Sequence, residues 1–228
     1  MPKREQYARL VEKLRNSQFP NGLVNPFSIG GENHFQKANH INPWSVWQNN
    51  LNAKILVIGQ DWGSIEYFKE NHGRDNDANP TNVTLQNLLK SVGYDPGVFS
   101  QPNPQPLFFT NAVLGIREGK AMSGPVRMSW LMDSKPFTQE LIDIIQPRII
   151  VTLGAIPLAA VRMIFKDKIP SGKLREIARG NPYSLHENQW LFAIYHCGPL
   201  GLANLVRDSG KNGKIAMQEA WNQVKLYC

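Results

Sequence analysis

The sequence predicts an α/β protein, a three-layer α/β/α sandwich with a central, mostly parallel four-stranded sheet, on three observations. Four short runs are apolar along most of their length instead of alternating, as strands covered on both faces must be. They are Lys54–Gly59 (KILVIG), Leu107–Leu114 (LFFTNAVL), Gln146–Gly154 (QPRIIVTLG) and Trp190–Tyr195 (WLFAIY). Stretches with helical spacing separate them, and crossover helices join parallel neighbours, whereas antiparallel hairpins would not need them. The 228 residues carry 42% hydrophobic and 19% charged side chains, ordinary globular usage that supports one sizeable core.

Taken in order, residues 4–16 set Tyr7, Leu10, Val11 and Leu14 at helical spacing among charged residues, a short amphipathic helix. From Phe19 to Pro43, repeated Pro, Gly and Asn punctuate the chain, which reads as a long loop closed by Trp44 and Trp47. The aromatics Phe27, Phe35, Trp44 and Trp47 are assigned to the core. After the first strand, Asn82–Val92 opens with cap-type residues and aligns Leu85, Leu88 and Leu89, a helix stopped by Gly93. The second strand follows the Pro-rich approach QPNPQP. Ser134–Ile145 reads as a helix, and Gly154 ends the third strand and opens a helix at Ala155. Helix Ile215–Lys225 closes the chain. No repeat, heptad or low-complexity tract appears, so residues 1–228 read as a single domain with 1–50 as an N-terminal helix and Pro/Gly/Asn-rich extension.

Lys plus Arg (25) exceed Asp plus Glu (18), a net charge of +7 that favours a polyanionic partner over acidic substrates. Two cysteines, Cys197 and Cys228, cannot build a disulfide framework or a four-thiolate zinc or iron–sulfur site within one chain. No run approaches the ~18–20 apolar residues that span a bilayer, and the N-terminus lacks a secretory pattern. A cytoplasmic protein with no membrane partner is expected.

In open parallel sheets, ligands gather outside the carboxyl ends of the strands. Three of the four ends are polar: Gln60-Asp61-Trp62-Gly63-Ser64 after the first, Thr110-Asn111 inside the second, and His196-Cys197-Gly198-Pro199-Leu200-Gly201 after the fourth. An Asp, an Asn and a His converging there supply a carboxylate that orients water, an amide that reads donors and acceptors, and a donor to a developing anion. Each also has a plainer role: Asp61 as a helix cap, Asn111 as a satisfied buried amide, His196 as a strand-end histidine. GQDWGS lacks the G-x-G-x-x-G spacing, and neither a phosphate loop nor a G-x-S-x-G elbow occurs. His34 and His40 in the N-terminal loop, the isolated His72 and His186, and the Asp75/Asp77/Asn79 turn give no supported metal site.

These motifs resemble those of the uracil-DNA glycosylase superfamily. Ile55–Gly63 (ILVIGQDWG) is similar to the family's strand followed by Gly-Gln-Asp, and Phe108–Arg117 (FFTNAVLGIR) to its Asn-bearing strand. His196–Leu200 (HCGPL) is similar to its His-x-x-Pro-Leu loop, and Pro147–Gly154 (PRIIVTLG) to the strand between. The likeness runs from about residue 54 to 205 in the family's order. It implies a monofunctional DNA glycosylase of base excision repair, without metal or organic cofactor, that flips uracil or a related deaminated base out of single- or double-stranded DNA. Asp61 would orient the attacking water and balance charge on the sugar, and His196 would stabilise the departing base. Asn111 would read the pyrimidine edge, with Gln60 lining the pocket and Trp62 and Gly63 beside it. Gly198 and Gly201 would approach DNA phosphates through backbone amides, Pro199 would belong to the same DNA-binding loop, and Leu200 would fill the gap left by the flipped nucleotide. Trp62-Gly63 stands where the uracil-specific branch has Pro-Tyr, whose Tyr blocks thymine. Trp62, Tyr67 and Phe68 are the candidates for the aromatic that stacks on the base. A monomer is expected; the alternatives are a non-catalytic or weakly catalytic lesion-binding member of the superfamily and a small-molecule hydrolase or transferase on the same α/β scaffold.

Overall fold

The computed structural model describes residues 1–31, 35, 39–122, 124–178 and 182–228. Helix α1 (Lys3–Arg15) buries Tyr7, Leu10, Val11 and Leu14, the stripe its spacing predicts. The following segment is less bare than its composition suggests. It contains strand β1 (Leu23–Val24) and 3-10 turns at Pro26–Ser28 and Pro43–Val46, each opened by an Asn cap and a Pro that pre-sets the backbone. His34 lies outside the described residues.

Strand β2 (Ile55–Gly59) leads into the short helix α2 (Ile65–Glu70), and helix α3 (Pro80–Ser91) precedes strand β3 (Leu107–Asn111). β3 ends three residues before the predicted Leu114. There Ala112 and Val113 turn their N–H groups onto the carbonyls of Gly59 and Gln60. Strand β4 (Ile116–Arg117) pairs with β1, and helix α4 (Met128–Ile145) starts six residues earlier than predicted. Strand β5 (Ile149–Leu153) and helix α5 (Ala155–Ile164) meet at Gly154, whose φ of 106° suits a residue without a side chain. A one-turn helix α6 (Leu174–Ile177), strand β6 (Tyr183–His186), strand β7 (Gln189–Ile194), helix α7 (Pro199–Ser209) and helix α8 (Gly213–Lys225) complete the chain.

The main sheet has five strands in the order β3-β2-β5-β7-β6, not the predicted four. The four expected strands are parallel, and β6 adds an antiparallel edge. Its four residues are largely polar, and it joins β7 through a tight turn at Glu187-Asn188, with Asn188 at φ 61°. It therefore lacks the continuous apolar run by which the other strands are legible. The opposite edge is also occupied: Phe109 donates to Gln48 O, and Asn50 N–H donates to Leu107 O.

Strand side chains alternate between faces. Leu56, Ile58, Phe108, Ile150 and Leu191 pack with the buried residues of α1, α4 and α5. Ile55, Val57, Phe109, Val151 and Ile194 pack with those of α3, α7 and α8. Helices thus cover both faces, and burial of each Leu or Ile contributes about 1.5–3 kcal/mol. Phe35, Trp44 and Trp47 are buried as expected, while Phe27 is half-buried against the core. The carboxyl ends of β2, β3, β5 and β7 share one edge of the sheet, where Asp61, Asn111, Gly154 and His196 emerge.

Candidate active site

A cleft of about 720 Å³ opens at this edge, and Asp61, Asn111 and His196 all line it. Its floor depends on a missing side chain. Gly59 is in register with Asn111, and a Cβ at position 59 would sit 2.8 Å from Asn111 Oδ1 and 3.0 Å from the Trp44 ring. Glycine lets the amide and the indole reach that point.

Asp61 is not the cap of α2; Ser64 is, its Oγ accepting from Tyr67 N–H at 3.2 Å. The Asp61 side chain is 4% exposed and forms an ion pair with Arg117, itself 7% exposed. All its bonds fall on one oxygen: Oδ2 accepts from Arg117 Nη2 at 2.7 Å, Arg117 Nε at 3.2 Å and Gln60 Nε2 at 3.0 Å. Oδ1 has no protein donor among the described residues. Arg117 also donates to the carbonyls of Gly124 and Pro125 and lies over the Trp130 ring, so it fastens the segment around Met122 to the carboxylate.

His196 has a defined proton arrangement. Gly198 N–H donates to Nδ1 at 3.1 Å, so in the neutral ring the proton sits on Nε2 as a free donor. Burial holds its pKa below the ordinary imidazole value, and the nearby Asp61 carboxylate works against that shift without reversing it. The backbone around it is tight. A Cβ on Gly198 would meet Thr81 Oγ1 and the His196 ring within 3 Å, and one on Gly201 would fall 1.9 Å from His196 O. Pro199 is the first residue of α7, and Leu200, 75% exposed, stands on the rim. Neighbouring Cys197 is fully buried, and its thiol, pushed up to about 12, is not a ready nucleophile.

Asn111 is 3% exposed, and its amide makes no hydrogen bond to the described residues. It is therefore not the satisfied structural amide of the plainer reading. Trp62 lines the cleft, 8% exposed, but Tyr67 and Phe68 do not; Trp44 does. Gly63, at φ 114°, is covered by Met122, whose Cε lies 2.9 Å from the Cβ position. Among the described residues no group of three His, Cys, Asp or Glu could hold a metal ion. Asp75 and Asp77 instead accept protein donors, Asp77 those of Ser100.

Three features escape the sequence reading. Arg117 lies far from Asp61 along the chain, and no local pattern marks the pair. The stretch after His196 reads as a loop, although Pro199 two residues past it is a helix-start signal. An acidic and amide network, Asp75 with Tyr67, Asn79 and Asn82, lines the cleft through the three residues other than Tyr67. Lys173, Arg175 and Arg207 border the same cleft, and the N-termini of α5 and α7 open onto it, which favours anions.

Fold and site together define an α/β protein with a polar cleft at the carboxyl edge of a mostly parallel sheet. No protein-family model matches the sequence, and no curated protein matches it significantly.

Proposed function

We propose that the protein is a DNA glycosylase that hydrolyses the N-glycosidic bond of uracil or a related deaminated or damaged base. The observation that carries this reading is the meeting of Asp61, Asn111 and His196 in one cleft, in the order and strand positions of the motifs they resemble. In the reaction, the C1′–N bond breaks and its electron pair leaves with the base. Water adds its oxygen to C1′, and the proton it loses passes through Asp61 Oδ1 to the departed base anion, which leaves as the neutral base. Asp61 Oδ1, free of protein donors, orients that water, and the carboxylate balances charge on the sugar. Neutral His196 donates from Nε2 toward the base anion, aided by the α7 N-terminus. Asn111 reads the base edge. On this reading Leu200, exposed on the rim, enters the stack, and Lys173, Arg175 and Arg207 meet phosphates.

Single-turnover release from oligonucleotides carrying uracil, thymine opposite guanine, or hypoxanthine tests this, with Asp61→Asn as the control. Release that drops about 10²–10⁴-fold in the variant supports the reading. Equal release from the variant removes Asp61 from the mechanism.

One observation favours a second reading. Arg117 already neutralises Asp61, which weakens its support for a cationic sugar and suits a weakly catalytic or non-catalytic lesion binder. Tight, salt-sensitive binding of the same oligonucleotides without base release selects that alternative.

A further inference from the structure

The cleft holds a second buried amide, Asn82, in the first turn of α3 and 4% exposed. Its orientation follows from its partner. Asn82 Nδ2 donates to Asp75 Oδ2 at 2.6 Å, and a carboxylate can only accept, so the nitrogen is the end turned to Asp75. Asp75 cannot turn away. Its other oxygen, Oδ1, accepts from Tyr67 Oη at 2.5 Å, Asn76 N–H at 2.8 Å and Asn79 Nδ2 at 3.3 Å. Asn82 Oδ1 is left with no protein donor among the described residues, at a position that lines the cleft. That carbonyl faces the cleft and has no partner of its own in the protein, so it is open to water or to a donor on a ligand.

We propose that Asn82 is a second recognition amide, locked by Asp75 to present an acceptor. On this assignment the cleft selects bases bearing an N–H or O–H donor beyond the edge read by Asn111. The proposal rests on the base-binding reading of the cleft, but not on turnover. It makes Asn82 a specificity residue and Asp75, which acts through it, a positioning residue.

The lock can be inverted. In Asp75→Asn, the three donors on Oδ1 keep the new amide's oxygen where it is, so its nitrogen replaces Oδ2. Asn82 must then flip, offering its oxygen to residue 75 and its nitrogen to the cleft. An acceptor site becomes a donor site with no change at position 82.

The test is binding of free ligands by calorimetry in two matched pairs, thymine against 5-aminouracil and deoxyinosine against deoxyguanosine. Each pair differs by one amino donor at nearly constant shape. The wild-type protein should bind the amino member of at least one pair about tenfold more tightly, the effect of one well-placed hydrogen bond. Asn82→Leu should erase that preference, and Asp75→Asn should erase or reverse it while the protein remains folded by circular dichroism. If Asn82→Leu does not fold, Asp75→Asn decides alone. No amino preference in the wild type, no binding of any of the four ligands, or a preference unchanged in Asp75→Asn overturns the proposal. Absence of base release from oligonucleotides, with the preference intact, overturns only the glycosylase reading.

Discussion

Replacing Arg117 with Met removes the cation of a buried pair while keeping an unbranched apolar stem in place of the aliphatic part of the side chain. The structure shows what is lost. Asp61 Oδ2 drops from three donors to the single Gln60 amide, and the Gly124 and Pro125 carbonyls each lose a donor. With both charged side chains under a tenth exposed, solvent offers little compensation, and breaking such a pair from one side costs about 3–5 kcal/mol. For a protein of this size, at about 2–4 °C per kcal/mol, the melting temperature should fall by about 6–20 °C. Urea unfolding gives the more direct number. With a slope near the upper end of about 1–3 kcal/mol/M, the midpoint should drop by about 1–1.7 M. A double-mutant cycle with Asp61→Asn should then show a coupling of about 0.5–3 kcal/mol, the double variant being less destabilised than the sum of the singles. A loss below about 1 kcal/mol in Arg117→Met, or strict additivity in the cycle, would refute the claim that this pair holds the site together.

Three further expectations concern the His196 loop and the rim. Because the folded protein lowers the His196 pKa, the unfolded chain binds that proton more readily. Titration of His196 therefore leaves stability unchanged above about pH 6.5 and lowers it as pH falls from there toward the folded value. Urea midpoints at pH 7.5 and 5 should fall less in His196→Asn than in the wild type, and parallel falls would contradict the assignment. Gly201→Ala forces a Cβ onto the His196 carbonyl and should cost about 1–3 kcal/mol in the same assay; a neutral result would mean that α7 shifts freely. Leu200→Ala removes a side chain that is 75% exposed. Stability should stay within about 0.5 kcal/mol, while base release from duplex falls more than from single strands; equal falls would argue against a wedge.

The four central strands were legible because burial on both faces demands unbroken apolar runs, as in Ile55–Ile58 and Ile149–Val151. That same criterion overlooks β6, where only Leu185 is buried and the pairing is set by a turn. The candidate triad was readable because strand ends in a parallel sheet share an edge, so Asp61, Asn111 and His196 needed no long-range information to be placed together. Their protein partners could not be read that way. Arg117 reaches Asp61 through the pairing of β4 with β1 and its own bridge to Ser64, in which its N–H donates to Gly63 O. Asn82, which looks like an ordinary residue of a helix start, takes on a recognition role only once Asp75 is seen to fix its amide.

The treatment of the sheet margins bears on how the molecule behaves in a crowded solution. A strand with unpaired backbone groups is a template for a neighbouring chain, and the largely apolar, five-residue β3 would be one if left bare. Here the residues around Asn49 lie along it and take up its outward groups. The other margin, β6, is four residues long and irregular between Ser184 and His186, a poor seat for intermolecular pairing. The segment that appears from its Pro, Gly and Asn content to be mere connection thus ends in a guard against aggregation. Loosening it at Gln48 or Asn50 should reveal itself first as a loss of solubility, before any loss of the cleft's chemistry.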